Sequence, residues 1–246
     1  MKEKDSKKFG IYVHVPFCSR RCDYCSFATW TDREHLIDKY LAACKTQAMN
    51  WAPELPDATS IFVGGGTPNL VPAELLMDVL AELPIARDIE FTVECNPDLV
   101  SSRQIETYVQ AGVNRISLGV QSMVPHVLTS LGREHDLDNV HSAVETVRSA
   151  GITNVNFDLI YGAQGETTED WLVTLEKAVS LEPDHLSAYA LTVEPGTPLA
   201  TDIDRYPDDD DQADKYLEAD RLLTAAGYSN YEISNWAKPD KASRHN

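Results

Sequence analysis

Tyr12–Phe27 reads YVHVPFCSRRCDYCSF and holds three of the five cysteines, Cys18, Cys22 and Cys25, in a CxxxCxxC array. Thiolates this close in sequence can converge on one soft metal centre. Zinc commonly takes four ligands closed by paired CxxC arms, and no second arm follows here. A [4Fe–4S] cluster has four irons, each normally held by a cysteine, so three cysteines leave one iron open to a chelating ligand. A disulfide or a structural zinc knuckle is the competing reading of the same residues.

The flanking chain reads as alternating strands and helices. Phe9–Pro16 forms a first strand, with the cysteine loop after it. Ile37, Leu41, Cys44, Ala48 and Trp51 recur at steps of 4, 3, 4 and 3, the seam of an amphipathic helix. Cys44 on that seam is a small core residue rather than a ligand. Ser60–Val63 is a short strand running into Gly64-Gly65-Gly66-Thr67-Pro68, whose glycines let backbone approach a ligand closely or equally form only a tight turn. These glycines are contiguous, unlike the spaced dinucleotide pattern. Pro72 opens the next helix.

Ile89–Val93 is a third strand, with Glu94 at its carboxyl end, where barrel ligands bind. Solitary Cys95 reads as packing, and Ser101 with Gln104 as a capping box. Ala111-Gly112, Ala150-Gly151 and Ala226-Gly227 each end a helix before a strand, with glycine as the left-handed residue past the helix end. They frame strands at Arg115–Val120 and Asn154–Ile160. Leu186–Val193 follows as another, and Tyr228–Ile233 is a candidate further strand. Six βα units imply an α/β fold with a parallel sheet, a partial (β/α)6 TIM-like barrel. Asp208–Asp211 reads as an acidic helix start favoured by the helix dipole. Gln121 and Asp158 stand at or within strand ends, and Arg133 follows in LGREHD. Asp158 reads equally as a structural hydrogen-bonder or a ligand contact, and Arg133 equally as a ligand contact or a solvated side chain.

At 246 residues, with 43 % hydrophobic content, the chain suits one large domain. The net charge of −18 disfavours nucleic acid as a partner. No apolar run reaches membrane-spanning length, and the charged start MKEKDSKK lacks a signal-peptide pattern. An odd cysteine count, with three thiols inside eight positions, suits the reducing cytoplasm.

The cysteine spacing, with Tyr24 just before Cys25, resembles the radical S-adenosylmethionine (SAM) superfamily, in which the open iron takes the amino and carboxylate groups of SAM. The reduced cluster then splits SAM to methionine and a 5′-deoxyadenosyl radical. YVHVPFC, GGGTP, VECNP, SLGVQS, LGREHD, FDLIYG, YALTVEPGTP and YEISNWAKP together resemble the oxygen-independent coproporphyrinogen III oxidase family. The nearest branch is its HemW-type heme chaperones. The resemblance implies that Cys18, Cys22 and Cys25 hold the cluster, that Tyr12 lies against it and SAM, and that the Tyr24 backbone meets adenine. It matches Gly65, Gly66 and Thr67 to contacts with the methionine part of SAM. Glu94, Gln121, Arg133 and Asp158 match polar ligand-binding positions, and Ala190 a backbone contact.

The true decarboxylases continue CxxxCxxCxC, whereas Ser26-Phe27 follows Cys25 here, the ending of the chaperone branch. His245-Asn246 matches the first two residues of that branch's heme motif HNxxYW, with Ser243 where relatives often carry cysteine. YGAQGET lacks the proline that members usually place before the second glycine. The expectation is a disordered 1–8, a radical SAM partial barrel over 9–205, and at 206–246 the start of a truncated C-terminal region. Two functions are weighed: a cytoplasmic heme chaperone that binds the cluster and SAM, or a coproporphyrinogen III oxidase. The chaperone reading implies heme as cargo, heme-accepting proteins as partners and an electron donor for the cluster. A solvent-exposed chain end is the competing reading of His245.

Overall fold

A computed structural model of the protein describes residues 8–133 and 136–246. The segment 1–8 expected to be disordered lies outside the described residues except for Lys8, which is exposed. Six strands run parallel in sequence order: β1 (Gly10–Val15), β2 (Ala58–Gly65), β3 (Ile85–Cys95), β4 (Arg115–Gln121), β5 (Asn154–Tyr161) and β6 (His185–Ala190). The intervening helices are α1 (Ile37–Trp51), α2 (Ala73–Leu80), α3 (Ser102–Gln110), α4 (Pro125–Ser130), α5 (Leu137–Ser149) and α6 (Thr168–Ser180). Then come α7 (Asp209–Ala225), β7 (Ser229–Glu232) and β8 (Asn235–Ala237). β8 pairs antiparallel with β6, and β7 with β8, so the curved sheet ends on β1 and β7. This is the partial TIM-like barrel.

Strand alternation divides the barrel chemically. Ile61, Val63, Phe91, Val93, Ile116, Leu118, Phe157 and Leu159 join one core beneath the helices. The opposite faces carry Ser60, Thr92, Arg115, Ser117, Asn156, His185 and Ser187, all buried. The inner face is therefore polar, and much of it is hydrogen-bonded, although Thr92 Oγ1 and Arg115 Nε have no partner. His185 Nε2 lies 2.7 Å from Tyr231 Oη, and Asn156 Nδ2 donates to Ser117 Oγ at 2.6 Å and to Asp158 Oδ1 at 2.9 Å.

Several local signals are realised as read. Gly112, Gly151 and Gly227 take φ of 96°, 93° and 90°, each closing a helix before a strand. Asp208 caps α7, accepting from the Asp211 N–H. Others differ. Only half of the Ser101 capping box forms, because the Gln104 amide turns away to the Asn69 carbonyl at 2.8 Å. Trp51, the last residue of the α1 seam, is exposed where the helix runs past the core. β3 is longer than the apolar run that announced it, and β8 is a short buried strand with no alternating signal of its own.

Candidate functional site

The carboxyl ends of the parallel strands surround a cavity of about 240 Å³. Cys18, Cys22, Tyr24 and Cys25 line it from the loop after β1, and Gly65, Gly66 and Thr67 from the end of β2. Glu94, Gln121, Arg133 and Asp158 complete the polar wall. Eleven of the fourteen expected residues thus meet at one place. Tyr12, Ala190 and His245 are not among its lining. Strand alternation at the end of β6 brings Tyr189 to the cavity in place of Ala190. Asn96, Phe27 and Ile160 also border it.

The cysteine loop is built by short-range backbone contacts. Cys18 N–H donates to the Trp30 carbonyl at 3.2 Å, Trp30 N–H returns to Pro16 at 2.8 Å, and Cys25 N–H closes on Cys22 at 3.1 Å. The glycine loop packs onto it: Gly66 N–H donates to Val15 and Thr67 N–H to Phe17, both at 2.8 Å. A Cβ at Gly66 would lie 2.5 Å from the Phe17 carbonyl oxygen and 2.9 Å from Cys18 Sγ, so this approach needs glycine. Thr67 Oγ1 donates to Cys18 Sγ at 3.6 Å, and Arg133 Nη1 to Cys22 Sγ at 3.6 Å. Arg133 is oriented by the Asn96 side chain at 2.9 Å and the Gly119 carbonyl at 3.1 Å.

Burial pushes the Cys18 and Cys25 thiols above their ordinary values. Among the described residues no trio of His, Cys, Asp or Glu side chains is drawn as close as a bound metal ion requires; the three thiols share a cavity wall. Cys44 packs against the main core, as the helix seam implied, while Cys95 borders the cavity although its side chain is almost wholly buried.

Two carboxyl groups face each other's charge across the cavity floor. Burial, then the charge of Asp158, pushes Glu94 up to about 8. Asp158 is likewise raised by burial, partly offset by hydrogen bonds from Ser117 at 2.7 Å and Asn156. Gln121 sits at a register shift between β4 and β5 with φ of 64°. A left-handed non-glycine residue costs about 1–3 kcal/mol and is tolerated mainly where a site requires it.

Tyr12 and His245 form a separate group on the inner side of β1 and β2. The His245 ring stacks on Phe62 at 5.2 Å, lies 6.4 Å from the Tyr12 ring, and its Nδ1 is 3.2 Å from Ser60 Oγ. His245 is half-buried, unlike the solvent-exposed chain end of the competing reading. Ser243 and Arg244 tie the same segment to Glu90, the Arg244 N–H at 2.9 Å.

Sequence reasoning passed over Asn96 and Tyr189. Asn96 stands in VECNP, two residues beyond Glu94, and a polar residue just past a strand end was signal enough. Tyr189 depended on register within an apolar run.

Known proteins resemble the chain in sequence and fold. The chain is 40 % identical to the heme chaperone HemW of Mycobacterium tuberculosis over 251 residues, covering 97 % of this chain and 64 % of that protein. It is 38 % identical to heme chaperone HemW of Escherichia coli (strain K12), covering 96 % and 65 %. The chain therefore spans less than two thirds of the length of these relatives. Among solved structures, coproporphyrinogen III oxidase (HemN) from Escherichia coli superposes with a TM-score of 0.86 at 28 % identity, covering 96 % of this chain and 56 % of that one. Residues 12–178 match the radical SAM superfamily, and with cysteine loop, glycine loop and parallel half-barrel in place the chain belongs to that superfamily, whose members use a [4Fe–4S] cluster and SAM.

Proposed function

We propose that the chain is the cofactor-binding part of a heme chaperone: Cys18, Cys22 and Cys25 hold a [4Fe–4S] cluster, the adjoining cavity takes SAM, and heme is cargo. The donor set supports the cluster, since three thiols line one wall and Arg133 brings positive charge to Cys22. SAM is supported by the glycine cradle, with Gly65, Gly66 and Thr67 facing its methionine part. Glu94, Gln121 and Asp158 offer acceptors and donors to the remainder and Tyr24 a backbone contact, while Tyr189 stands at the cavity in place of the expected Ala190. When bound, the cluster and SAM supply one-electron chemistry. The protein's own residues hold and orient the two ligands in a cavity walled by β-strands.

The observation that carries the chaperone reading over porphyrinogen oxidation is Phe27. It borders the cavity at the position where the decarboxylases place a fourth cysteine, and its ring is exposed. The whole-chain likeness to proteins named heme chaperones points the same way. His245 is the proposed heme ligand, its imidazole kept below its usual value chiefly by burial and so neutral. Ligation requires it to leave Phe62 and Ser60, so this chain alone should bind heme weakly. Heme-accepting proteins and an electron donor are the proposed partners, in the cytoplasm. Among the described residues no helix is long and apolar enough to cross a membrane.

Heme titration and coproporphyrinogen turnover on the same full-length, cluster-loaded sample test the reading. Heme binding without decarboxylation is expected. Multiple-turnover formation of protoporphyrinogen would overturn it in favour of an oxidase.

A further inference from the structure

The residue between the second and third cysteine motif positions that faces away from the cavity is Asp23, and its environment is unusually complete. Arg205, in the segment after β6, places Nη1 2.9 Å from Asp23 Oδ2. Its Nη2 donates to the Ser130 carbonyl at the end of α4, at 2.7 Å. The Leu199 N–H donates to the Asp23 carbonyl at 3.0 Å. Gly132, with φ of 71°, lies so close that a Cβ there would come within 3.1 Å of Asp23 Oδ1 and 3.2 Å of its nitrogen. Next to it, Tyr24 packs on a second apolar cluster that includes Val127, Leu131, Ile160, Ala163, Leu191 and Leu199. Two distant chain segments thus grip one residue of the cysteine loop from behind.

We infer that Arg205 is a positioning residue for the cluster: it pins Asp23 so that Cys22 and Cys25 face the cavity, and it neutralises a carboxylate that directly follows Cys22 in the chain. This rests on the cluster assignment proposed above. Arg205 belongs to no motif that marks the cysteine loop; it lies 182 positions further along the chain. Its side chain is only 19 % exposed and that of Asp23 33 %, so the pair is partly shielded from solvent and salt. The guanidinium suits the role because its planar fork serves a carboxylate and a carbonyl at once, which an ammonium cannot do with the same geometry. An unpaired Asp23 would place a negative charge beside a centre that gains an electron on reduction, and so make that reduction harder.

The test uses the full-length protein, reconstituted anaerobically, with Arg205→Ala, Arg205→Lys, Asp23→Asn and Cys22→Ala. Two readouts are taken: iron release to a chelator and the cluster's midpoint potential. Arg205→Ala should release iron about fivefold faster, the factor given by roughly 1 kcal/mol of lost ion pairing. Its potential should move to more negative values. Arg205→Lys should recover the potential but only part of the retention, and Asp23→Asn should move the potential upward. If Cys22→Ala abolishes the cluster while Arg205→Ala keeps wild-type release and potential, the positioning role is overturned and the cluster assignment stands. If Cys22→Ala keeps its cluster, the assignment itself falls, and the role of Arg205 with it. Should Arg205→Ala fail to fold, an unmoved potential in Asp23→Asn overturns the inference.

Discussion

The Gly65 N–H donates to Glu94 Oε2 at 3.2 Å, joining the glycine loop at the end of β2 to the end of β3. One acceptor thereby serves two purposes. It holds a backbone whose φ of 116° favours glycine, and it sets a carboxyl group against the cavity.

That carboxyl group makes stability pH-dependent. Asp158, Arg115, Tyr12, Cys95 and Tyr189 are the charged and titratable groups that act on it or feel it. Glu94 keeps its proton up to about pH 8 in the fold, against an ordinary value of 4.5. The folded state therefore binds more protons than the unfolded state between those values, so this contribution is full below 4.5 and lost as pH rises through about 8. Denaturant midpoints of the ligand-free protein should fall across that window, and Glu94→Gln should flatten the slope. A slope identical in the variant would remove Glu94 as its source.

The cysteines separate by environment. Cys18→Ala, Cys22→Ala and Cys25→Ala should each abolish the cluster on anaerobic reconstitution, measured as iron per chain. Cys44→Ala and Cys95→Ala should retain it, because both thiols are committed to packing. Loss of iron in Cys44→Ala would show the ligand set to be wrong.

Gly66→Ala should damage more than SAM binding. Its methyl group meets the Phe17 carbonyl and Cys18 Sγ, so ligand affinity and cluster retention should fall together. The overpacking should cost about 1–3 kcal/mol of stability. A variant that loses SAM affinity by calorimetry, yet keeps wild-type iron and stability, would contradict the close packing of the two loops.

Lys215 anchors α7 to the loop after β5. Its wholly buried ammonium donates to the Glu166 carbonyl at 2.8 Å and to Asp211 Oδ2 at 2.6 Å, and lies 3.4 Å from Glu166 Oε2. Glu166 in turn accepts from Gly162 N–H at 2.6 Å, within the YGAQGET departure. Lys215→Met should destabilise by about 3–5 kcal/mol, since it strands a buried carboxylate. Adding Glu166→Gln should recover part of that in denaturation. Equal stability of Lys215→Met and the parent would show that the pair carries no net energy.

What the sequence by itself determined was local or close in register. The CxxxCxxC spacing, the three contiguous glycines and the alanine–glycine helix ends are backbone demands that a few adjacent residues state completely. Their repetition around six apolar strands was enough for the half-barrel, because parallel strands joined by helices leave few other ways to bury those faces. Eleven cavity residues were legible because strand ends gather at one rim.

The tertiary structure alone decided what depends on partners far along the chain. Whether Tyr189 or Ala190 faces the cavity turns on strand register, where a slip of one residue exchanges the faces. Gln104 could accept from the Ser101 N–H and cap its own helix or donate to the Asn69 carbonyl, and only the neighbouring loop brings the latter within reach. His245 sits on Phe62, Lys215 against Glu166 and Arg205 on Asp23 because buried rings and charges take the partners that close packing brings within reach. No short sequence window contains both members of such a pair, so the sequence alone could not specify those contacts.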